Sequence, residues 1–418
     1  MSTSEKILSA AQAGSGQPGG VLRALRHRNY RLFFAGQGIS LVGTWMQTMA
    51  QAWLVYRLSG SSLALGLVGF AGQIPVFLLA VFGGVVADAR NRRAIMLWTQ
   101  FLSMFLAFAA AALTLSGIVQ VWHVMLLAVG LGVVNAFDIP ARQAFVIDMV
   151  GRQDLHNAIA LNSSMFNSAR VLGPTLAGLL VPLVGEGWCF LLNGASYLAV
   201  MASLLLMRLP PDAPKPAGAS AWRRVGDGLT FAAHHTAIRT VLLLTGVSSL
   251  LGMSHATLMP VFADRILGGG PGALGLLMGA AGLGAFGGAM LLAARRDSLG
   301  LGRWIIRAGV GFGLSLAVFS LSRHLWLSAA LLAPVGFCMV VMMASANTLL
   351  QQTTPDGYRG RVMALFSMMV VGMSPFGALL AGTLAHLIGP QLTVLAGGLA
   401  CVAAAAGFRP GLTRCVAQ

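Results

Sequence analysis

Long apolar runs alternate with short polar stretches along the whole chain. The first six runs lie near Leu32–Tyr56, Leu63–Ala87, Ala94–Ser116, Trp122–Phe145, Ala158–Val184 and Trp188–Met207. Six more lie near Ile238–Phe262, Ala273–Ala294, Trp304–Leu321, Leu325–Leu350, Val362–Ile388 and Leu392–Phe408. A helix needs about 20 apolar residues to cross a bilayer, so each run has the length of one span. The longest polar stretch, 209–235, carries three prolines in its first six residues and reads as a linker. The pattern predicts an N-terminal arm (1–31), a six-helix bundle (32–208), the linker (209–235), a second six-helix bundle (236–408) and a tail (409–418).

Composition excludes a soluble protein. Of the 418 residues, 57% are hydrophobic and 9% charged, against roughly 25% charged in an average soluble domain. The net charge of +16 would suit nucleic acid, but the cations sit in small groups between apolar runs and form no single stripe. They orient the chain instead, because cytoplasmic loops hold the excess of Lys and Arg. Twenty-three of the 27 fall on one face: the N-terminal arm, the 2–3, 4–5, 8–9 and 10–11 turns, the linker and the tail. Arg57, Arg265 and Arg323 fall on the other, and Arg170 lies within the fifth run. Both termini are therefore expected in the cytoplasm. The first 20 residues hold no apolar signal region, so the first run is expected to stay as a membrane helix.

Two basic amphipathic segments, Val21–Arg31 and Ala221–His234, suit helices lying against anionic lipid at the cytoplasmic surface. The halves also read as a degenerate repeat. Gly83-Gly84 before one basic loop is matched by Gly287-Gly288 before another, about half a chain later. Repeated halves with a site between them are a transporter design.

Gly84-Val-Val-Ala-Asp88-Ala-Arg90-Asn91-Arg92-Arg93 resembles the 2–3 loop signature of the major facilitator superfamily, with Asn91 in place of its second glycine. The stretches beginning Asn29-Tyr30-Arg31 and Asn135-Ala136-Phe137-Asp138 resemble the branch that contains the enterobactin exporter and transmembrane secretion effectors. Ala169-Arg170-Val-Leu-Gly173-Pro174 partly resembles the glycine–proline signature of drug antiporters. The resemblance implies an all-α membrane fold of twelve helices, an alternating-access cycle, and a place in a bacterial inner (plasma) membrane. It further implies a gate built from Gly84, Asp88, Arg92 and Arg93. The glycine allows a close helix crossing, and the aspartate faces a neighbouring helix end or an arginine. Gly173 and Pro174 are expected to bend the fifth helix and let it pack closely.

Polar side chains on the first helix, Gln37, Thr44, Trp45, Gln47, Thr48 and Gln51, are candidates for the wall of a central cavity, together with Arg170 and His255. Charges at bilayer depth are costly and mark pathways or pairs. Asp138 and Arg142 are four apart on the fourth helix and can pair; they are the candidates for proton coupling, with His386 a further titratable group. No catalytic constellation, metal cluster or CxxC pair occurs in the sequence. The ATP-binding pattern GxxxxGK[ST] is absent too, so no cofactor is called for. The expected activity is export of a small organic molecule, siderophore-like or drug-like, by proton antiport, from a monomer whose partners are substrate, protons and membrane lipid. An uptake carrier of the same fold and a membrane-embedded lipid-modifying enzyme are the alternatives.

Overall fold

The structure is a computed structural model and describes residues 22–208, 230–295 and 300–408. Those residues form twelve long helices. The first six are α1 (Arg28–Ser59), α2 (Ser62–Ala89), α3 (Arg92–Leu115), α4 (Val121–Val150), α5 (Leu155–Val184) and α6 (Glu186–Leu206). The second six are α7 (Thr236–Ile266), α8 (Gly270–Ala294), α9 (Leu301–Leu321), α10 (Leu325–Thr353), α11 (Asp356–Ile388) and α12 (Pro390–Gly407). All except α1 are long and apolar enough to cross a membrane. The exception is explained by six polar residues, Gln37, Ser40, Thr44, Gln47, Thr48 and Gln51, set into a 32-residue helix. Several helices outrun their apolar runs. Hydrogen bonding continues past the bilayer edge, so α4 reaches Val150 and carries Asp148, and α11 begins at Asp356 rather than Val362.

The six helices of each half pack mainly on one another, and the crossings repeat between halves. In the first half α2 crosses α4 where a Cβ on Gly83 would strike the Ala136 carbonyl and one on Gly132 would strike that of Gly72. In the second, α8 crosses α10 with Gly288 against the Phe337 carbonyl and Gly336 against that of Ala281. Small residues let helix backbones touch, which is how association is favoured where lipid supplies no hydrophobic drive. The expected close approach at Gly84 is therefore made by Gly83; Gly84 faces open space.

Two seams join the halves, α5 against α8 and α2 against α11. Each closes on a glycine pair, Gly178 with Gly275 and Gly66 with Gly382. Both pairs lie toward the end of the bundle that carries the 1–2, 5–6, 7–8 and 11–12 turns. The other end carries most of the arginines and is called the basic end. There, Thr236–Val247 of α7 and Asp356–Ser367 of α11 pack against elements of their own half. The two halves thus meet at one end and stand apart at the other.

The N-terminal amphipathic segment differs from its expectation. Arg23–Arg26 is one 3-10 turn, and α1 starts at Arg28. Ala24 and Tyr30 are fully buried, and Ala24 N donates to Asn157 Oδ1 at 2.8 Å. Asp154 Oδ2 bonds His27 Nε2 at 2.7 Å, and its Oδ1 forms an ion pair with Arg23 Nε at 2.7 Å. These bonds clip the segment onto the start of α5 instead of leaving it along a lipid surface. Of the second amphipathic segment, 221–229 lies outside the described residues; Phe231 stacks on Tyr358 at 4.2 Å, which sets 230–234 against the start of α11.

Candidate transport site

The 2–3 loop is organised around Arg92. Asn91 caps α3, its Oδ1 accepting from Ala94 N at 2.8 Å. That is what asparagine supplies here, an N-cap acceptor that a glycine lacks. Arg92 Nη1 donates to both Asp148 oxygens, at 2.8 and 3.1 Å, and to the Ala144 carbonyl at 3.2 Å, while Nε reaches Ala87 O at 3.3 Å. Arg92 thereby ties the end of α2, the start of α3 and the end of α4. Asp148 carries no signal in the sequence pattern because it lies beyond the apolar run that ends at Phe145. Arg93 Nη2 donates to Leu205 O at 3.0 Å, satisfying a free carbonyl at the C-terminus of α6.

Asp88 is different. Its side chain is 77% exposed, and among the described residues its ion pair is with Arg92, at 3.5 Å.

Asp138 is buried at the contact of α4 with α3. Its Oδ1 accepts from Thr99 Oγ1 at 2.8 Å and Gln100 Nε2 at 3.0 Å, and its Oδ2 lies 3.6 Å from Arg142 Nε. All four residues belong to the first half, away from both seams.

The polar residues of α1 divide between two faces. Gln47 is buried, accepts from Asn193 Nδ2 of α6 at 2.7 Å, and with Gln51 borders a small cavity inside the first bundle beside Leu106, Thr114 and Phe190. Gln37 is buried as well, its Oε1 without a hydrogen-bond partner among the described residues. Gln47 therefore points into the first bundle. Thr44 donates to the Ser40 carbonyl at 2.9 Å and Thr48, which is exposed, donates to that of Thr44 at 2.8 Å. Trp45 leaves the bundle on the side of α5, with its ring edge-on to Phe166 at 5.5 Å. A strong tertiary preference separates residues that periodicity alone puts on one helix.

Arg170 sits at the midpoint of α5, where the α5–α8 seam ends. Its guanidinium lies over the Trp45 ring at 5.7 Å, and Nη2 is 4.0 Å from Met339 Sδ of α10. Among the described residues it makes no ion pair. The local sequence explains its position. Gly173 lets α5 cross α1, since a Cβ there would collide with Trp45 and the Val42 carbonyl. Pro174 brings no N–H to the Arg170 carbonyl, and Gly282 of α8 leaves room for that freed oxygen. Around Pro174 the chain remains α-helical from Leu155 to Val184.

His255 lies on α7 where the helix departs from α geometry, between a π turn at Ser248–Gly252 and a 3-10 stretch at Met253–Leu258. Nδ1 is 2.6 Å from the Gly252 carbonyl; a carbonyl can only accept, so Nδ1 carries the hydrogen and a neutral ring keeps Nε2 as an acceptor. His386, in the last turn of α11, lies far from this cluster. At the end away from the arginine-rich loops, Glu186 binds Arg57 through two bonds, 2.7 and 3.2 Å, and fastens α6 to α1.

Two six-helix halves, joined at one end and parted at the other, with isolated polar groups at mid-depth, define a multi-pass secondary transporter of the major facilitator fold. The chain belongs to the transmembrane secretion effector family, whose pattern it matches over residues 20–413. It is 28% identical to the multidrug efflux pump Tap of Mycolicibacterium fortuitum, over 87% of this chain and 88% of that one. It is 25% identical to the enterobactin exporter EntS of Escherichia coli O1:K1, over 89% of each. Among solved structures, a bacterial homolog of the human lysosomal transporter Spinster, inward-facing and occupied, superposes with a TM-score of 0.71 at 16% identity, covering 93% of this chain and 97% of that one. The family and these relatives are transporters, so the chain is a transporter and not an enzyme.

Proposed function

We propose that the protein exports a small organic molecule, drug-like or siderophore-like, across a bacterial inner membrane by alternating access, with both termini in the cytoplasm. The observation that carries this reading is the pair of glycine-closed seams at one end, set against the separated, arginine-rich end. If the basic end is cytoplasmic, the cleft is open to the cytoplasm and ready to load. The names of the relatives, a multidrug efflux pump and an enterobactin exporter, support the outward direction. Asp88, Arg92 and Arg93, with Gly83 and Gly84 before them, form the gate at that end: Arg92 and Arg93 brace the loop, and exposed Asp88 is free to meet the second half when the cleft closes.

The drive in this reading is inward movement of protons. Asp138 with Arg142 is the coupling pair, since its Oδ2 lies 3.6 Å from Arg142 Nε and a proton there would release the arginine. The hydrogen bonds from Thr99 and Gln100 would carry that change into α3. Substrate meets Thr48, Trp45 and Arg170 at the interface between halves.

The test is flux in proteoliposomes holding the purified carrier in known orientation, with a pH gradient imposed in either sense. Net movement of a drug-like probe from the cytoplasmic to the external face, accelerated by the gradient, supports the proposal. Accumulation in the reverse direction would make the protein an uptake carrier of the same fold.

A further inference from the structure

Arg170 is a cation at the centre of a membrane helix, without an anion among the described residues. A charge at that depth is expensive and is normally paired, or else faces a cavity that serves a ligand. Its contacts here are an indole face and a thioether, neither of which neutralises a guanidinium.

The chain has little to offer it. Of eleven acidic residues, Asp88, Asp148, Asp154 and Asp356 lie at the basic end, and Glu186 and Asp264 lie at the opposite end. Asp138 is held by Thr99, Gln100 and Arg142 in the first half. The remaining four, Glu5, Asp212, Asp227 and Asp297, fall outside the described residues, in polar stretches of the sequence. No membrane run of the second half contains a carboxylate at mid-depth. A partner missing among the described residues points to one from outside the protein.

We infer that Arg170 receives a carboxylate of the transported molecule, so that the substrate class is organic anions with an aromatic or apolar body. This deepens the export reading and rests on the same cleft. A guanidinium presents parallel N–H donors that match the two oxygens of a carboxylate. Trp45 and Phe166, edge-on to each other at 5.5 Å, give the apolar body a surface next to the charge. Met339 brings α10 of the second half to the same point, so a bound anion bridges the halves. The absence of any accessible carboxylate beside Arg170 among the described residues also disfavours cations.

Fluorescein and rhodamine 123 share one three-ring frame but carry opposite charge, and their binding to the purified full-length carrier is read by fluorescence polarisation. Wild type is expected to bind fluorescein about tenfold or more tighter than rhodamine 123. Arg170→Gln is expected to weaken fluorescein by about tenfold and leave rhodamine unchanged, with Arg170→Lys between, because an ammonium keeps the charge and loses the fork. The inference is overturned if wild type binds fluorescein no better than rhodamine, binding of neither included, or if Arg170→Gln binds fluorescein as wild type does. Should Arg170→Gln lose both dyes, Arg170→Lys decides: a retained preference for the anion supports the site and a lost preference overturns it. Binding does not depend on direction or drive. Inward flux of fluorescein alone would therefore sink the export reading while leaving the Arg170 site standing.

Discussion

Arg92 at the start of α3 is bonded to both carboxylate oxygens of Asp148 near the end of α4, at 2.8 and 3.1 Å. The contact joins residues 56 apart in sequence and fixes three helix ends of the first half as one body. Arg92 is mostly buried and Asp148 about one-third exposed, so the pair gains more than an open surface bridge does. Arg92→Ala is expected to cost about 1–3 kcal/mol, the range for losing charge-assisted hydrogen bonds, read as a lower melting temperature in detergent. Asp148→Asn, which keeps one acceptor, is expected to cost less. Equal melting of Arg92→Ala and wild type would remove Arg92 from the bracing role.

Asp88→Asn should separate gate from scaffold. The side chain is exposed and, among the described residues, its ion pair is with Arg92, so melting temperature should not change measurably, as for a weak surface pair. Export should fall strongly, because the closing contact of the basic end would lose its charge. Transport at the wild-type rate, at matched expression, would reduce the 2–3 loop to a topology signal.

Asp138→Asn distinguishes coupling from packing. The amide oxygen can still accept from Thr99 or Gln100, but the residue no longer binds or releases a proton. The expected result is loss of pH-gradient-driven export with substrate binding and downhill exchange intact. Joint loss of all three would make Asp138 a structural pin between α3 and α4, and driven export that persists would exclude it from coupling.

Topology is checked with reporters fused after Gln418 and inserted within 209–235. Both are expected to report cytoplasm, as the Lys/Arg bias demands. External signals from both would reverse the cleft's orientation, and with it the loading side; an external signal from one alone would overturn the twelve-helix plan.

Helix number, order and the two-half plan were legible in the sequence, because a bilayer imposes one length and one polarity on every span. The charge bias gave an orientation for the same reason, and Arg170 and Asp138 stood out as costly charges inside apolar runs. Which neighbours those charges meet was decided by tertiary structure. Asp138 turns toward Thr99 and Gln100 on α3, whereas Arg170 turns toward Trp45 and Met339 and finds no acid among the described residues. Gln47 and Trp45 are two residues apart on α1, yet one bonds Asn193 inside the first bundle and the other faces α5 at the seam. Periodicity fixes the angle between two side chains on one helix, but not the rotation of that helix among its neighbours. That rotation is set by close crossings such as Gly173 against Val42 and Trp45, where only the absence of a side chain lets the backbones meet, and it determines which polar residues face the space between the halves.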